Sequence, residues 1–406
     1  MRRLTITICG CGNGAHAGAA LMREQGHIVN IYSPLTREIE QFRANYEKND
    51  GLTMRFGPGL LSATGDDNAV YGDDVKTVEH IKFNRITDKA EEVIPESSLI
   101  FVVVPSFAHK NMLRHIGPYL DKNSVMVFLP SRGGLEFDVE AITPGAKVMA
   151  FQTLPWACRI KKFGSEILIS GRKESIMAAS MPGDLSEVFF SQLESILEMR
   201  IERIKDILTM TVANMGQVIH PGIMYCINRK DPFKVYTEDN LPLFYQGVDA
   251  EGADVLMRMS EEVIEVTKAL QAVRPTVEAD KVKRIDEWLL ASYSEQIADK
   301  SALWRMLCTN KAYDGLKAPV KKTEDGKFVV DYSYRYIVED VPYSLLPTKS
   351  IAMMLGVETP TIDMVLEAID EWTGSNYLGR LKDLKAFSNH ARVPELYGIT
   401  AANELY

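Results

Sequence analysis

Leu4-Thr5-Ile6-Thr7-Ile8-Cys9-Gly10-Cys11-Gly12-Asn13-Gly14-Ala15-His16 is the stretch that decides the fold of this 406-residue chain. Residues 4–9 are apolar or β-branched, as in a strand, and Ala17 to Met22 are small or apolar helix formers. The turn between them carries glycine at its first and third positions and Ala15 at its sixth. Gly10 permits a tight turn, Gly12 lets backbone approach a pyrophosphate, and the small Ala15 lets the helix lie close to the strand. The helix N-terminus then presents free N–H groups to phosphate oxygens. Flanked in this way, the glycine turn predicts a dinucleotide-binding unit.

The first half continues to alternate strands and helices. His27 to Tyr32 reads as a second strand and Arg37 to Asn49 as a polar helix. Gly51 to Asp74, with five glycines and two acidic clusters, reads as a loop or hairpin excursion. Leu99 to Val104 and Ser124 to Leu129 are continuous apolar runs, the mark of parallel strands buried on both faces. Lys147 to Phe151 and Glu166 to Ser170 are further β-like runs. Alternation of this kind implies an α/β, doubly wound parallel sheet, so the turns after Cys9, Tyr32, Val104 and Leu129 should share one ligand-binding edge.

From about residue 185 the periodicity becomes helical. Helices are expected over 185–198, 207–218, 252–272, 277–293, 300–309 and 361–373, with one strand near 327–331. Pro221 and Gly222 should interrupt a helix just after His220. The expected organisation is a Rossmann-type sheet domain over 1–200 and a mostly α-helical second domain over 205–406. The charged stretch 198–205 is taken as the boundary. A two-domain plan of this kind suits an enzyme that holds a dinucleotide on one side and a substrate on the other.

A net charge of −9 argues against nucleic acid or an anionic membrane as partner. Five scattered cysteines, an odd number, fit a reducing cytoplasm better than a disulfide framework, and Cys9-Gly10-Cys11 reads as small buried residues rather than a metal site. The uncharged stretch 207–228 is long enough to span a bilayer, but Asn214, Gln217, His220 and Pro221 mark it as a buried core segment.

A nicotinamide carries the hydride, so the protein must supply a proton donor or acceptor and orient the substrate. Histidine suits that task near neutral pH. His27, His80, His115 and His390 lie in ordinary contexts, His16 in the glycine turn should cap or pack, and His109 could border the cofactor. His220, beside a helix break among apolar residues, is a candidate for tuned acid–base work. From the residues alone, a hydrogen-bonded core histidine stands ahead of that reading. Arg335 could clamp a carboxylate and Asp340 could orient a histidine, the alternative being a structural Arg–Asp pair.

These residues sit in strings that resemble the octopine dehydrogenase family of opine dehydrogenases over essentially the whole chain. The strings are Cys9 to His16, Val104-Pro105-Ser106-Phe107-Ala108-His109, Leu129-Pro130-Ser131 and Thr153-Leu154-Pro155-Trp156-Ala157-Cys158-Arg159-Ile160-Lys161. His220-Pro221, Pro242 to Gly247, Thr309-Asn310-Lys311 and Arg335-Tyr336 with Glu339-Asp340 match in the second half. The resemblance implies NADH-dependent reductive condensation of pyruvate with an amino acid through an imine. It makes His220 the catalytic acid–base, Asp340 its partner and Arg335 a carboxylate anchor. Gly10, Gly12, Asn13, Gly14, Ala15, Arg37 and Pro105 would border the cofactor, and Arg132 and Trp288 the substrate. It implies a cytoplasmic enzyme without metal, monomer rather than homodimer.

Two departures from the family pattern bear on substrate and cofactor. Members that use arginine carry a neutral glutamine where this chain has Arg132, so a small or anionic amine such as alanine, glycine, β-alanine or taurine is expected instead. Residues 32–37 contain no carboxylate for a ribose hydroxyl, and Arg37 could accept a 2′-phosphate; NAD is expected, with NADP not excluded. Competing readings are a keto-acid or polyol-phosphate dehydrogenase using Lys311, and a non-catalytic NAD(H)-binding sensor.

Overall fold

The computed structural model describes residues 3–56, 76–183, 185–382 and 391–405. They group into two compact units, Met1–Met210 and Thr211–Tyr406.

The first unit is built on an eight-stranded sheet of order β12-β11-β8-β7-β6-β1-β2-β5. Its strands are β1 (Thr5–Cys9), β2 (Ile28–Tyr32), β5 (Arg85–Thr87), β6 (Leu99–Val102), β7 (Val125–Phe128), β8 (Lys147–Phe151), β11 (Ser175–Met181) and β12 (Arg200–Ile204). All run parallel except β11 and β12, which pair parallel to each other and antiparallel to β8. Successive residues face opposite sides. Ile6, Ile8, Val29, Ile31, Phe101 and Val127 pack on one face, and Cys9, Tyr32, Ile100, Val102, Met126 and Phe128 on the other. Two apolar faces, each with its own cluster, are what doubly wound topology requires. Thr7 and Asn30 are fully buried polar residues of the sheet, and both are satisfied: Thr7 bonds Ser97 at 2.6 Å, and Asn84 donates to Asn30 at 2.9 Å.

A second sheet has the order β4-β3-β10-β9, from β3 (Leu52–Phe56), β4 (Lys76–Ile81), β9 (Trp156–Lys162) and β10 (Glu166–Arg172). Strands β3 and β4 are antiparallel, as a hairpin excursion should be, while the glycine-rich 57–75 between them lies outside the described residues. Helix α1 (Asn13–Glu24) is tied to this sheet. Asn13 Oδ1 accepts from the Ile160 amide at 2.8 Å and His16 Nε2 from the Gly164 amide at 2.9 Å. The expected run Glu166 to Ser170 thus belongs to a covering sheet rather than the central one. The charged stretch taken as a linker is instead edge strand β12, so the first unit extends to Met210.

The remaining helices of this unit are α2 (Thr36–Lys48), α3 (Ser106–Ile116), α4 (Leu135–Ile142), α5 (Glu187–Leu197) and α6 (Ile207–Val212). The second unit is mostly helical: α7 (Gly216–Asn228), α8 (Ala250–Val273), α9 (Ile285–Tyr293), α10 (Leu303–Thr309), α11 (Arg335–Val338), α12 (Leu346–Leu355), α13 (Pro360–Thr373) and α14 (Tyr377–Lys382). A short hairpin, β13 (Val320–Lys322) with β14 (Phe328–Val330), interrupts them. Helix α7 runs straight through Pro221, contrary to the expected interruption there. The break falls earlier, at 213–215, where Asn214 Oδ1 takes the Gly216 amide at 3.0 Å. Gly222 allows α8 to approach: a Cβ there would lie 2.4 Å from Leu256 Cδ2. No described helix is long and apolar enough to cross a membrane.

His16 is a buried tether, not a reactive group. Its Nε2 accepts from Gly164 and its Nδ1 lies 3.0 Å from the Gly12 carbonyl, which fixes a neutral tautomer. Burial, outweighing its backbone bonds, lowers its pKa to about 4. Unfolding lets the ring titrate near 6.5, so the unfolded chain binds the extra proton between those values. Stability should therefore be full above pH 6.5 and fall as pH drops toward 4, by up to about 3 kcal/mol from this residue. Urea unfolding across that range, compared between the parent chain and His16→Gln, checks it: the variant should lose the step.

Candidate active site

The carboxyl ends of β2, β1, β6 and β7 lie side by side along one edge of the central sheet, as four of the predicted turns require. At its centre, Gly10 adopts φ +124, and a Cβ there would lie 2.5 Å from the Val103 carbonyl oxygen. Gly14 is equally crowded, 2.7 Å from Leu154, whereas Gly12 has nothing within 4 Å of where a Cβ would stand. Two glycines are thus forced by packing, and the third leaves open space before the first turn of α1. That turn has no side-chain cap and no acidic residue, so its N–H groups remain available. Open space before uncapped donors fits a dinucleotide pyrophosphate. Ala15 is buried against the sheet, and Pro105 stands exposed as the residue before α3.

The end of β2 holds a group absent from the sequence expectation. Arg37 is exposed on the first turn of α2, but the next residue turns back: Glu38 Oε2 accepts from Ser33 Oγ at 2.7 Å and its carboxylate bonds the Cys11 side chain. A carboxylate therefore does lie beside the glycine turn, one residue beyond the stretch 32–37 inspected for it. His109 is fully buried, its Nε2 3.1 Å from the Val104 carbonyl and its ring edge-on to Phe128, a packing role. Cys9 and Cys11 are buried thiols, their ionisation pushed well up by desolvation.

In the second unit, His220 on α7 meets Asp340 with Nδ1 2.8 Å from Oδ2. Asp340 is completely buried and His220 17% exposed. With the carboxylate accepting the Nδ1 proton, Nε2 is the ring nitrogen that the Asp340 contact does not use. Asp340 is held between two wide helical turns. Its amide donates to the Arg335 carbonyl at 3.2 Å, and its carbonyl accepts from Leu345 at 3.0 Å, both five residues apart. The π-helical turn Val341–Leu345 follows, a form enriched at functional sites. A second bond, Asn214 Nδ2 to Ser344 Oγ at 2.8 Å, fastens that turn to the α6–α7 break.

Sequence reasoning missed the aromatic layer on His220. Tyr336 stacks on the imidazole, centroids 4.1 Å apart and planes 15° apart, and Phe244 packs on Tyr336 at 4.7 Å. Continuing through Tyr245, Tyr313 and Tyr293, the chain of rings ends at Trp288, so Trp288 joins the assembly through neighbours rather than touching His220. The aromatic spacing in the Pro242–Gly247 and Arg335–Tyr336 strings was its only sequence signal. Arg335, at the start of α11, lies with Nε 3.3 Å from Glu339 Oε2 and is half exposed. Lys311 is exposed.

A glycine-turn sheet unit with a histidine–carboxylate pair on helices defines the class of NAD-dependent dehydrogenases. The family described as NAD/NADP octopine/nopaline dehydrogenase, alpha-helical domain, matches residues 203–373. The chain is 34% identical to an opine dehydrogenase of Haliotis discus hannai over its whole length and 98% of that protein. It is 31% identical to a tauropine dehydrogenase of Arabella iricolor over 99% of this chain and all of that one. An octopine dehydrogenase solved with NADH and L-arginine superposes with a TM-score of 0.86 at 30% identity, covering 98% of this chain and 97% of its own. The chain belongs to the octopine dehydrogenase family and is an NAD-dependent oxidoreductase of the opine dehydrogenase kind.

If His220 exchanges the proton, His220→Ala should lower kcat about 10²- to 10⁴-fold. Asp340→Asn, which strips the orienting charge, should lower it by at least about tenfold. NADH affinity, read by fluorescence titration, should stay within twofold in both. A kcat within twofold of the parent in His220→Ala would remove the ring from the chemistry.

Proposed function

We propose that the chain condenses pyruvate with an amino acid through an imine and reduces it to an N-(carboxyethyl) amino acid. The His220–Asp340 pair carries this reading, because a solvent-edged imidazole on a buried carboxylate can take and return a proton. The relatives support it: one is named tauropine dehydrogenase, and an octopine dehydrogenase of 29% identity was solved with NADH and pyruvate.

Imine formation joins the amine nitrogen to the oxo carbon and releases one water. His220 Nε2 takes the proton that the attacking ammonium must lose, and Asp340 stabilises the resulting imidazolium. Bound NADH supplies the hydride that the imine carbon receives. Gly10, Gly12, Asn13, Gly14 and Ala15 would hold its pyrophosphate by backbone, with Pro105 and Arg37 at the border of the site. Arg335 would anchor the oxo-acid carboxylate, its planar fork suited to two parallel hydrogen bonds. Trp288 would line the substrate pocket.

The amine partner is small or anionic. Arg132 ends the β7 turn with φ +58, a left-handed backbone that costs a non-glycine residue about 1–2 kcal/mol. A guanidinium beside the amine would repel a cationic side chain and attract an acid. NADH oxidation with pyruvate plus alanine, glycine, β-alanine, taurine or arginine tests the proposal. Turnover should require both substrates, and one of the first four should exceed arginine. Oxidation with pyruvate alone, or arginine ahead of all four, would sink it.

Glu38 would accept from the ribose hydroxyls and oppose a 2′-phosphate by like charge. NADH should exceed NADPH in kcat/KM by at least about tenfold, worth about 1.4 kcal/mol. Glu38→Gln should narrow the ratio, and an unchanged ratio would discard the assignment.

A further inference from the structure

In the second unit, a cavity that the proposed reaction leaves unused opens on the far side of α11 from His220. Its volume is about 470 Å³, within the roughly 300–1,000 Å³ usual for small-molecule sites. The hairpin β13–β14 gives it Lys321, Val329 and Val330, and α11 gives Ile337 and Val338. Trp372 from the end of α13 completes the wall, with Phe233 and Tyr332 beside it. Val338 stands about 200° around the helix from Tyr336. The ring stacked on His220 and the residue facing the cavity therefore occupy opposite sides of α11.

Aromatic rings dominate this wall. Trp372 lies 5.5 Å from Tyr332 and stacks on Tyr225 of α7 at 6.0 Å, with planes 11° apart. At the rim Phe233 is 64% exposed and Val338 39%. Large apolar side chains left in solvent around a concave, ring-lined surface mark a place for a ligand.

The polar groups here are few, and most are committed. The Tyr332 hydroxyl donates to the Pro232 carbonyl at 2.8 Å, and the Thr373 hydroxyl to the Ile369 carbonyl at 2.7 Å. Asp331 turns its carboxylate to the Ser333 amide at 3.0 Å and to the Ser333 hydroxyl at 2.5 Å. Lys321 is the only charged residue in the lining, and among the described residues no carboxylate pairs with it. The hairpin divides its two lysines between its faces. Lys321 pairs across with Val329, which lines the cavity, whereas Lys322 Nζ lies 5.9 Å from the Phe328 ring.

We infer that this cavity binds a small acid bearing an aromatic ring. The ring lies among Trp372, Tyr332 and Phe233, where offset stacking and edge contacts are available. The carboxylate meets the Lys321 ammonium, whose three donors have no other acceptor in the lining to serve. The site is distinct from the His220–Asp340 pair, and its occupancy does not depend on the condensation reading.

Fluorine NMR of 4-fluorophenylacetate with the full chain reads binding without turnover. The parent should bind it with a Kd of about 0.1–1 mM, in keeping with its few heavy atoms. Unlabelled phenylacetate should displace the probe, and phenethylamine, its cationic counterpart, should not. Lys321 and Phe233 are exposed, so their removal leaves the fold intact. Lys321→Met should weaken binding about fivefold, as for one exposed ion pair, and Phe233→Ala by at least about threefold. His220→Ala, and the parent saturated with NADH and pyruvate, should keep the Kd within twofold. A parent Kd above about 10 mM, or parent affinity retained in either cavity variant, overturns the assignment. So does tighter binding of phenethylamine than of phenylacetate. Displacement of the probe by NADH or pyruvate overturns it as well, because the ligand would then share the reaction site.

Discussion

The approach of Gly10 to the end of β6 is the constraint on which the first unit depends. Its amide donates to the Tyr32 carbonyl at 2.8 Å, and a Cβ would collide with the Val103 carbonyl. The turn is thereby pinned to both neighbouring strands, and the direction of α1 is set before any side chain contributes. The rest of the segment follows from that. Gly14 has to clear Leu154 and Val103, and Gly18 has the Trp156 ring 3.1 Å from where a Cβ would stand. With α1 so tight against Leu154 and Trp156, its polar residues serve the same contact: the Asn13 and His16 side chains accept from backbone amides of the covering sheet and its turn. The Thr153–Lys161 string, which no general fold rule demands, is in part the other half of this contact. Trp156 fills the space over Gly18, and the Ile160 amide meets Asn13.

In the second unit, the equivalent economy is at Asp340. A fully buried carboxylate is tolerable only with its charge met by donors. The wide helical turns on either side place it against His220 rather than leaving it on a regular helical face. Because a π-helical turn shifts side-chain phase, the residues from 341 to 345 bury continuously, and α12 follows without a break. Stacked Tyr336 covers one face of the imidazole, which restricts the ring to the edge that Asp340 does not occupy. Placing His220 within a helix and Asp340 between two helical turns, with the Asn214–Ser344 bond beside them, holds the geometry more tightly than a loop would.

The central sheet was legible because β6 and β7 are buried on both faces and so carry uninterrupted apolar runs, while the glycine turn marks where α1 must begin. Strand β12 was not, since Arg200-Ile201-Glu202-Arg203-Ile204 alternates at a sheet edge and its charges mimic a linker. Pro221 misled because a proline's missing N–H costs one helical bond, which tight packing of α7 on α8 at Gly222 outweighs. His220, Asp340 and Arg335 were found as candidates by residue type, yet pairing the first two across 120 residues needed either the family resemblance or the folded chain. Glu38 escaped because the search stopped one residue short of it, at Arg37, whereas helix α2 brings its carboxylate back to Ser33.

A net negative charge does not by itself exclude the binding of acidic groups. A net charge of −9 is spread over the surface, and at physiological salt such charges are screened beyond about 8 Å. An acid bound beside a partly buried cation feels it at contact distance, where the effective dielectric is far below that of water. Local arrangement therefore outweighs total charge in setting affinity, and the overall negative field acts mainly on the rate of approach. Under the proposed reading, the same reasoning makes the side chain at position 132 one lever on which amine the site prefers. A neutral side chain there would leave a basic amine tolerable, whereas the charge of Arg132 would disfavour one.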